Sequence, residues 1–192
     1  MESSLPLVFL DVDGPLIPFG ATPRDLPRGY PSYGPADDGN PLLARLDPAL
    51  GPRLLALPCE LVWATTWAAD ANAWVGPRIG LPELPFVVWP DPSDEDGPGA
   101  VGGRPHWKVH ALLDHAAGRP FAWVDDEIGD ADRTWVDVHH PGRALLHLVD
   151  ARFGITGADF AALDAWLRGP ARLRWEGRAA RAAQRPGAGC PG

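Results

Sequence analysis

The sequence predicts an α/β fold, a Rossmann-like three-layer sandwich on a parallel sheet with no large cap domain. Three observations predict it. Short apolar runs that read as buried strands alternate with helical stretches along the chain, the pattern of repeated βαβ units. Three of those runs end in polar residues: Asp11 and Asp13, Thr65 and Thr66, and Asp125 to Glu127. Open α/β sheets bind ligands beyond the carboxyl ends of their strands, so all three groups are expected at one edge.

In chain order, the first strand is expected over Leu5–Leu10. A segment at 15–40 carries six prolines and four glycines and reads as a loop. A helix is expected over Pro41–Leu57, a strand over Glu60–Ala64, a helix over Ala68–Val75 and a strand over Phe86–Trp89. A second loop, 90–105, has four prolines and the acidic group Asp91, Asp94, Glu95 and Asp96. A helix over His106–Ala117 then leads to strands over Phe121–Val124 and Ala144–Val149. The last helix, Ala158–Leu167, has Thr156 as its N-cap and Gly169-Pro170 as its stop. Residues 1–167 form the expected domain, and 168–192 a basic, largely flexible tail with helical character around Ala171–Ala183.

Charge and cysteine content narrow the function classes. Net charge is −8, yet 168–192 holds six Arg and one Glu, so 1–167 is net −13. An acidic body does not favour nonspecific nucleic-acid binding. The two cysteines, Cys59 and Cys190, lie too far apart for a metal motif or a disulfide framework. The N-terminal apolar run is too short for a signal peptide, and none approaches the ~20 residues of a membrane span. A soluble, cytoplasmic chain is expected.

The chemistry centres on Asp11-Val12-Asp13-Gly14. Two carboxylates at the end of a buried strand are costly as structure but suit a metal site. An EF-hand loop starting at Asp11 would need glycine sixth and glutamate twelfth, where the chain has Leu16 and Thr22. Of 17 basic residues only Lys108 is lysine. It opens the helix before the Asp125 strand. A helix of about 11 residues runs back roughly 16 Å at ~1.5 Å per residue. A strand of about five residues returns roughly 16 Å at ~3.3 Å per residue. Lys108 and Asp125 should therefore finish on the same side of the sheet. Carboxylates without His or Cys partners are hard oxygen ligands that suit Mg²⁺. Mg²⁺ with a lysine offsets phosphate charge, and an aspartate can itself be the nucleophile. His106, His110, His139 and His140 have no tight ligand spacing for zinc.

Asp11-Val12-Asp13-Gly14, Thr65, Lys108 and Asp125-Asp126, in this order, resemble the four motifs of the haloacid dehalogenase-like superfamily across residues 7–127. The resemblance implies that Asp11 attacks phosphorus and binds Mg²⁺. Asp13 would act as acid and then base, and give its backbone carbonyl to the metal. Thr65 would hydrogen-bond the phosphoryl oxygens, with Thr66 as the alternative hydroxyl and Gly14 beside the substrate. Lys108 would neutralise nucleophile and phosphate. Asp125, Asp126 or both would hold the metal, with Glu127 open as a further ligand and Asp130 and Asp132 behind them. Members with small caps accept bulky or macromolecular substrates, or borrow a lid from a partner subunit. The phrases around Trp63-Trp67 and Trp123 also resemble a subgroup associated with RNA-repair proteins. The expected function is Mg²⁺-dependent phosphomonoester hydrolysis, on a nucleotide, a small metabolite or a nucleic-acid end. The alternatives are a phosphotransferase and a non-catalytic phosphate- or metal-binding module. Oligomeric state is left open.

Overall fold

The computed structural model describes residues 5–34, 40–90 and 105–169. The acidic group Asp91–Asp96 and the tail beyond Gly169 lie outside these residues. Four strands, β1 (Leu7–Leu10), β2 (Glu60–Trp63), β3 (Phe121–Asp125) and β4 (Ala144–Leu148), form an all-parallel sheet ordered β2-β1-β3-β4. Leu10 is in register with Trp63 on one side and Val124 on the other. The carboxyl ends of three strands are therefore level, and the polar residues just past them emerge at one edge.

The strands alternate between two cores. Val8, Leu10, Leu61, Trp63, Ala122 and Val124 face α1 (Leu50–Leu55), α2 (Gly76–Ile79) and α5 (Gly157–Arg168), through Leu54, Ile79 and Leu163. Leu7, Phe9, Val62, Phe121 and Trp123 face α3 (Lys108–Ala116) and α4 (Asp130–His139), through Val109, Leu112 and Val136. Apolar cover on both faces explains why these strands read as unbroken apolar runs. It also pins the register, since a slip by one residue would exchange the two sets.

Several elements differ from the sequence expectation. The first strand begins at Leu7 because Pro6 has no N–H to give a ladder. The expected helix over Pro41–Leu57 is a 3-10 turn at Pro41–Arg45 followed by α1. Pro48 keeps the chain before it out of helical conformation, and Leu46 is extended. The expected helix over Ala68–Val75 is turns, a π-helical stretch at Ala71–Val75 and then α2, with Ala68 left-handed at φ 47°. Phe86–Trp89 forms no strand: Phe86 makes one bridge to Trp63. Thr156 caps α5, and its hydroxyl and N–H both bond Asp159 Oδ2, at 2.6 and 2.7 Å.

Helix α4 was not anticipated. Its apolar stripe is thin, with Val136 its one buried hydrophobic residue. The topology nevertheless demands a crossover there, because β3 and β4 are parallel. Among the described residues 15–34 there is neither helix nor strand, and no described helix is long and apolar enough to cross a membrane.

Helices α1 and α2 approach so closely that a Cβ on Gly51 would overlap the Ile79 carbonyl. Gly51→Ala is expected to destabilise the fold by about 3 kcal/mol, the upper part of the overpacking range, because backbone rather than a side chain must shift. The urea-unfolding midpoint checks this.

Candidate functional site

Asp11 extends the β1–β3 ladder by one residue, its N–H donating to the Val124 carbonyl at 3.1 Å. Its Oδ1 accepts from the Val12 N–H at 2.8 Å, and its Oδ2 faces Lys108. The Lys108 ammonium lies 2.8 Å from Asp11 Oδ2 and 2.8 Å from Asp125 Oδ2. All three side chains are buried, Lys108 with 3% of its surface exposed and Asp125 with none. Asp125 Oδ2 also accepts from the Trp123 indole N–H at 3.1 Å, and Oδ1 from the Glu127 N–H at 2.9 Å.

The loop after β1 turns back at Gly14, where φ is +84°. The Asp126 carboxylate packs against the Gly14 Cα, so any side chain there would collide with it. Glycine is needed at this position twice, for its backbone angle and for the approach of Asp126. Asp11, Asp125 and Asp126 are the one group among the described residues whose ligand oxygens lie within 4.8 Å of one another. That donor set is all oxygen, and a hard divalent cation fits it.

Asp13 stands apart from that group. Its Oδ2 accepts from the Trp67 indole N–H at 2.9 Å. Thr65 is buried; its hydroxyl oxygen accepts from the Trp67 N–H at 3.3 Å, and its carbonyl from the Trp89 indole N–H at 2.9 Å. Thr66 is exposed, as are Glu127 and Asp130. Asp132 is buried. The tryptophans divide: Trp63 and Trp123 are core, whereas Trp67, Trp89 and Trp107 are half-buried beside site residues. Trp67 and His106 thus hold parts of the site in ways their sequence context did not assign. The recoverable signal was proximity: Trp67 comes just after the threonine pair and His106 precedes Lys108.

Three carboxylates share one ammonium. Burial, with the neighbouring Asp125 charge, pushes Asp11 up to about 7 even against the pull of Lys108. Burial and Asp125 push Asp126 up to about 6. Burial alone would lower Lys108, but Asp11 and Asp125 outweigh it and raise its pKa. A divalent cation would relieve the crowding of like charge.

These shifts set the sign of the site's contribution to the pH dependence of stability. Asp11 and Asp126 hold protons in the folded state that the unfolded chain releases near its ordinary value of 3.8. Through these two groups the folded state binds more protons between roughly pH 4 and 7, and their contribution to stability falls as pH rises through that window. Denaturant titrations of metal-free protein are expected to show this decline, and saturating Mg²⁺ to flatten it. Buried His140, whose pKa is lowered, acts in the opposite direction, so the comparison is with Asp11→Asn: a wild-type decline no steeper than the variant's between roughly pH 4 and 7 would contradict the assignment.

No family model, curated protein or solved structure matches the chain.

Proposed function

We propose that the protein is a Mg²⁺-dependent phosphomonoester hydrolase of the haloacid dehalogenase-like type, working through an aspartyl-phosphate on Asp11. The observation that carries this reading is the Lys108 ammonium, 2.8 Å from both Asp11 and Asp125 at the carboxyl edge of a parallel sheet. A buried lysine between two buried carboxylates is expensive as mere structure. A lysine that shares its charge with an incoming phosphate accounts for that expense.

In this mechanism an Asp11 carboxylate oxygen attacks phosphorus and forms a P–O bond as the ester P–O bond breaks. Asp13 gives its proton to the departing alkoxide, then takes one from the water that attacks the phosphorylated Asp11. Inorganic phosphate leaves and both aspartates return to their starting states. The Trp67 indole, 2.9 Å from Asp13 Oδ2, aims that carboxylate. Thr65 and Lys108 bind the phosphoryl oxygens. Asp11, Asp125 and Asp126 would hold Mg²⁺, with the Asp13 backbone carbonyl as a further ligand. Bound Mg²⁺ supplies positive charge that offsets the charge developing on the phosphoryl group.

The purified protein is expected to hydrolyse a generic aryl phosphate with Mg²⁺, and chelation to stop it. A screen of nucleotides, sugar phosphates and 5′- or 3′-phosphorylated oligonucleotides would then set the substrate. Failure to turn over any of these with Mg²⁺ present would overturn the proposal in favour of a binding module.

A further inference from the structure

Lys108 is held at both its ends. Its backbone N–H donates to His106 Nδ1 at 3.2 Å, which leaves the imidazole proton on Nε2. Nε2 meets Glu127 Oε2 at 3.2 Å. The Glu127 N–H donates to Asp125 Oδ1 at 2.9 Å, and Asp125 Oδ2 accepts from the Lys108 ammonium at 2.8 Å. Four residues thus close a ring of hydrogen bonds that begins on the Lys108 backbone and ends on its side chain.

Asp132 clamps the same ring. Its Oδ1 accepts from the His106 N–H and its Oδ2 from the Gly129 N–H at 2.7 Å. The carboxylate is 2% exposed, and a charge so buried is tolerated only when hydrogen-bonded. Its two donors belong to separate segments: one brings in Lys108, the other comes after Asp125. The His106 ring is walled by Trp107 and Trp123, at centroid distances of 5.4 and 6.0 Å. Neither His106 nor Asp132 touches Asp11 or Asp126 through these bonds, so their influence runs through the start of α3 and through Glu127 to Asp125.

We propose that His106 and Asp132 are positioning residues that set where the Lys108 ammonium sits between Asp11 and Asp125. A four-carbon side chain has many rotamers, and the bisecting position is kept by fixing the backbone from which it springs. Partners behind a site's contacting groups commonly alter activity by about 10–100-fold when removed. The effect on turnover rests on the proposed hydrolase reading. The effect on the ammonium does not.

Lys108 is the chain's sole lysine, so ¹⁵N-lysine labelling gives one side-chain Nζ resonance. In wild type it is expected to be visible and slow to exchange. His106→Phe keeps a ring and removes both nitrogens, and Asp132→Asn leaves one acceptor oxygen. Both are expected to shift the Nζ resonance and speed its exchange, while far-UV circular dichroism and backbone amide resonances remote from His106 stay native. His106→Asn returns an acceptor near the Nδ1 position and is expected to recover part of the signal. In parallel, kcat is expected to fall about 10–100-fold in His106→Phe, more than KM changes, with partial recovery in His106→Asn. An unchanged Nζ signal in folded His106→Phe or Asp132→Asn overturns the proposal. Loss of folding in all three variants overturns it too, in favour of a purely structural role. Changed Nζ signals in a protein that hydrolyses no phosphoester would support the clamp and sink the hydrolase reading alone.

Discussion

Replacing Asp11 with asparagine is expected to lower kcat by at least ~10³-fold, on the scale of losing an essential catalytic group. The substitution is nearly isosteric. Asparagine keeps one acceptor oxygen for either the Val12 N–H or the Lys108 ammonium, which Asp11 serves together, and its amide is no nucleophile. Lys108 keeps Asp125 as its counter-charge at 2.8 Å, so the fold itself should tolerate the change. That separation makes the result interpretable: burial and the neighbouring Asp125 charge already push Asp11 up to about 7, and a neutral residue relieves that repulsion. Steady-state kinetics on an aryl phosphate with Mg²⁺ check the rate, and a urea titration checks the fold. A variant that keeps a tenth of the wild-type rate would place the nucleophile elsewhere.

Lys108→Met has the opposite balance. Methionine fills a similar volume, yet it leaves Asp11 and Asp125 buried without their cation. Breaking a buried ion pair by removing one partner destabilises by about 3–5 kcal/mol. The loss is expected in full near pH 8. Without the ammonium Asp11, already pushed up by burial, binds its proton still more tightly in the folded than in the unfolded state, so the deficit shrinks as pH falls and it is protonated. Added Mg²⁺ is expected to recover part of it at pH 8, because the cation replaces the missing charge. Turnover should fall by about 10²–10³-fold, as when one preorganised charge-stabilising donor is lost. Urea midpoints at pH 8 and pH 5, with and without Mg²⁺, test the electrostatic part. Equal stability of variant and wild type at pH 8 would mean that Lys108 does not neutralise the pair.

Much of the architecture was legible because it rests on local pattern. A run such as Leu7-Val8-Phe9-Leu10 is apolar at every position, and a short strand covered on both faces uses all four side chains that way. A polar residue that ends such a run must sit at the sheet's carboxyl edge, so Asp11, Thr65 and Asp125 could be placed there from spacing alone. The elements that were misread lacked such a pattern. Helix α4 has one buried hydrophobic residue and owes its existence to the crossover between two parallel strands. The 3-10 turn at Pro41–Arg45 and α1 are separate because a proline interrupts what periodicity alone reads as continuous.

Composition and order along the chain determined the α/β class, the strands' carboxyl ends and the residue types brought to them. Those properties depend on side chains within a few positions of one another. Tertiary structure alone decided the strand order, and which carboxylate takes which partner. Asp125 binds the ammonium whereas Asp126 lies on Gly14. Trp67 reaches Asp13 across 54 residues, and Lys108 reaches Asp11 across 97. No periodicity encodes such pairs. They arise from how α3 seats on the sheet and how the segments after β1 and β2 meet, a matter of packing distances of a few ångströms, and hydrogen bonding is sensitive to less than one.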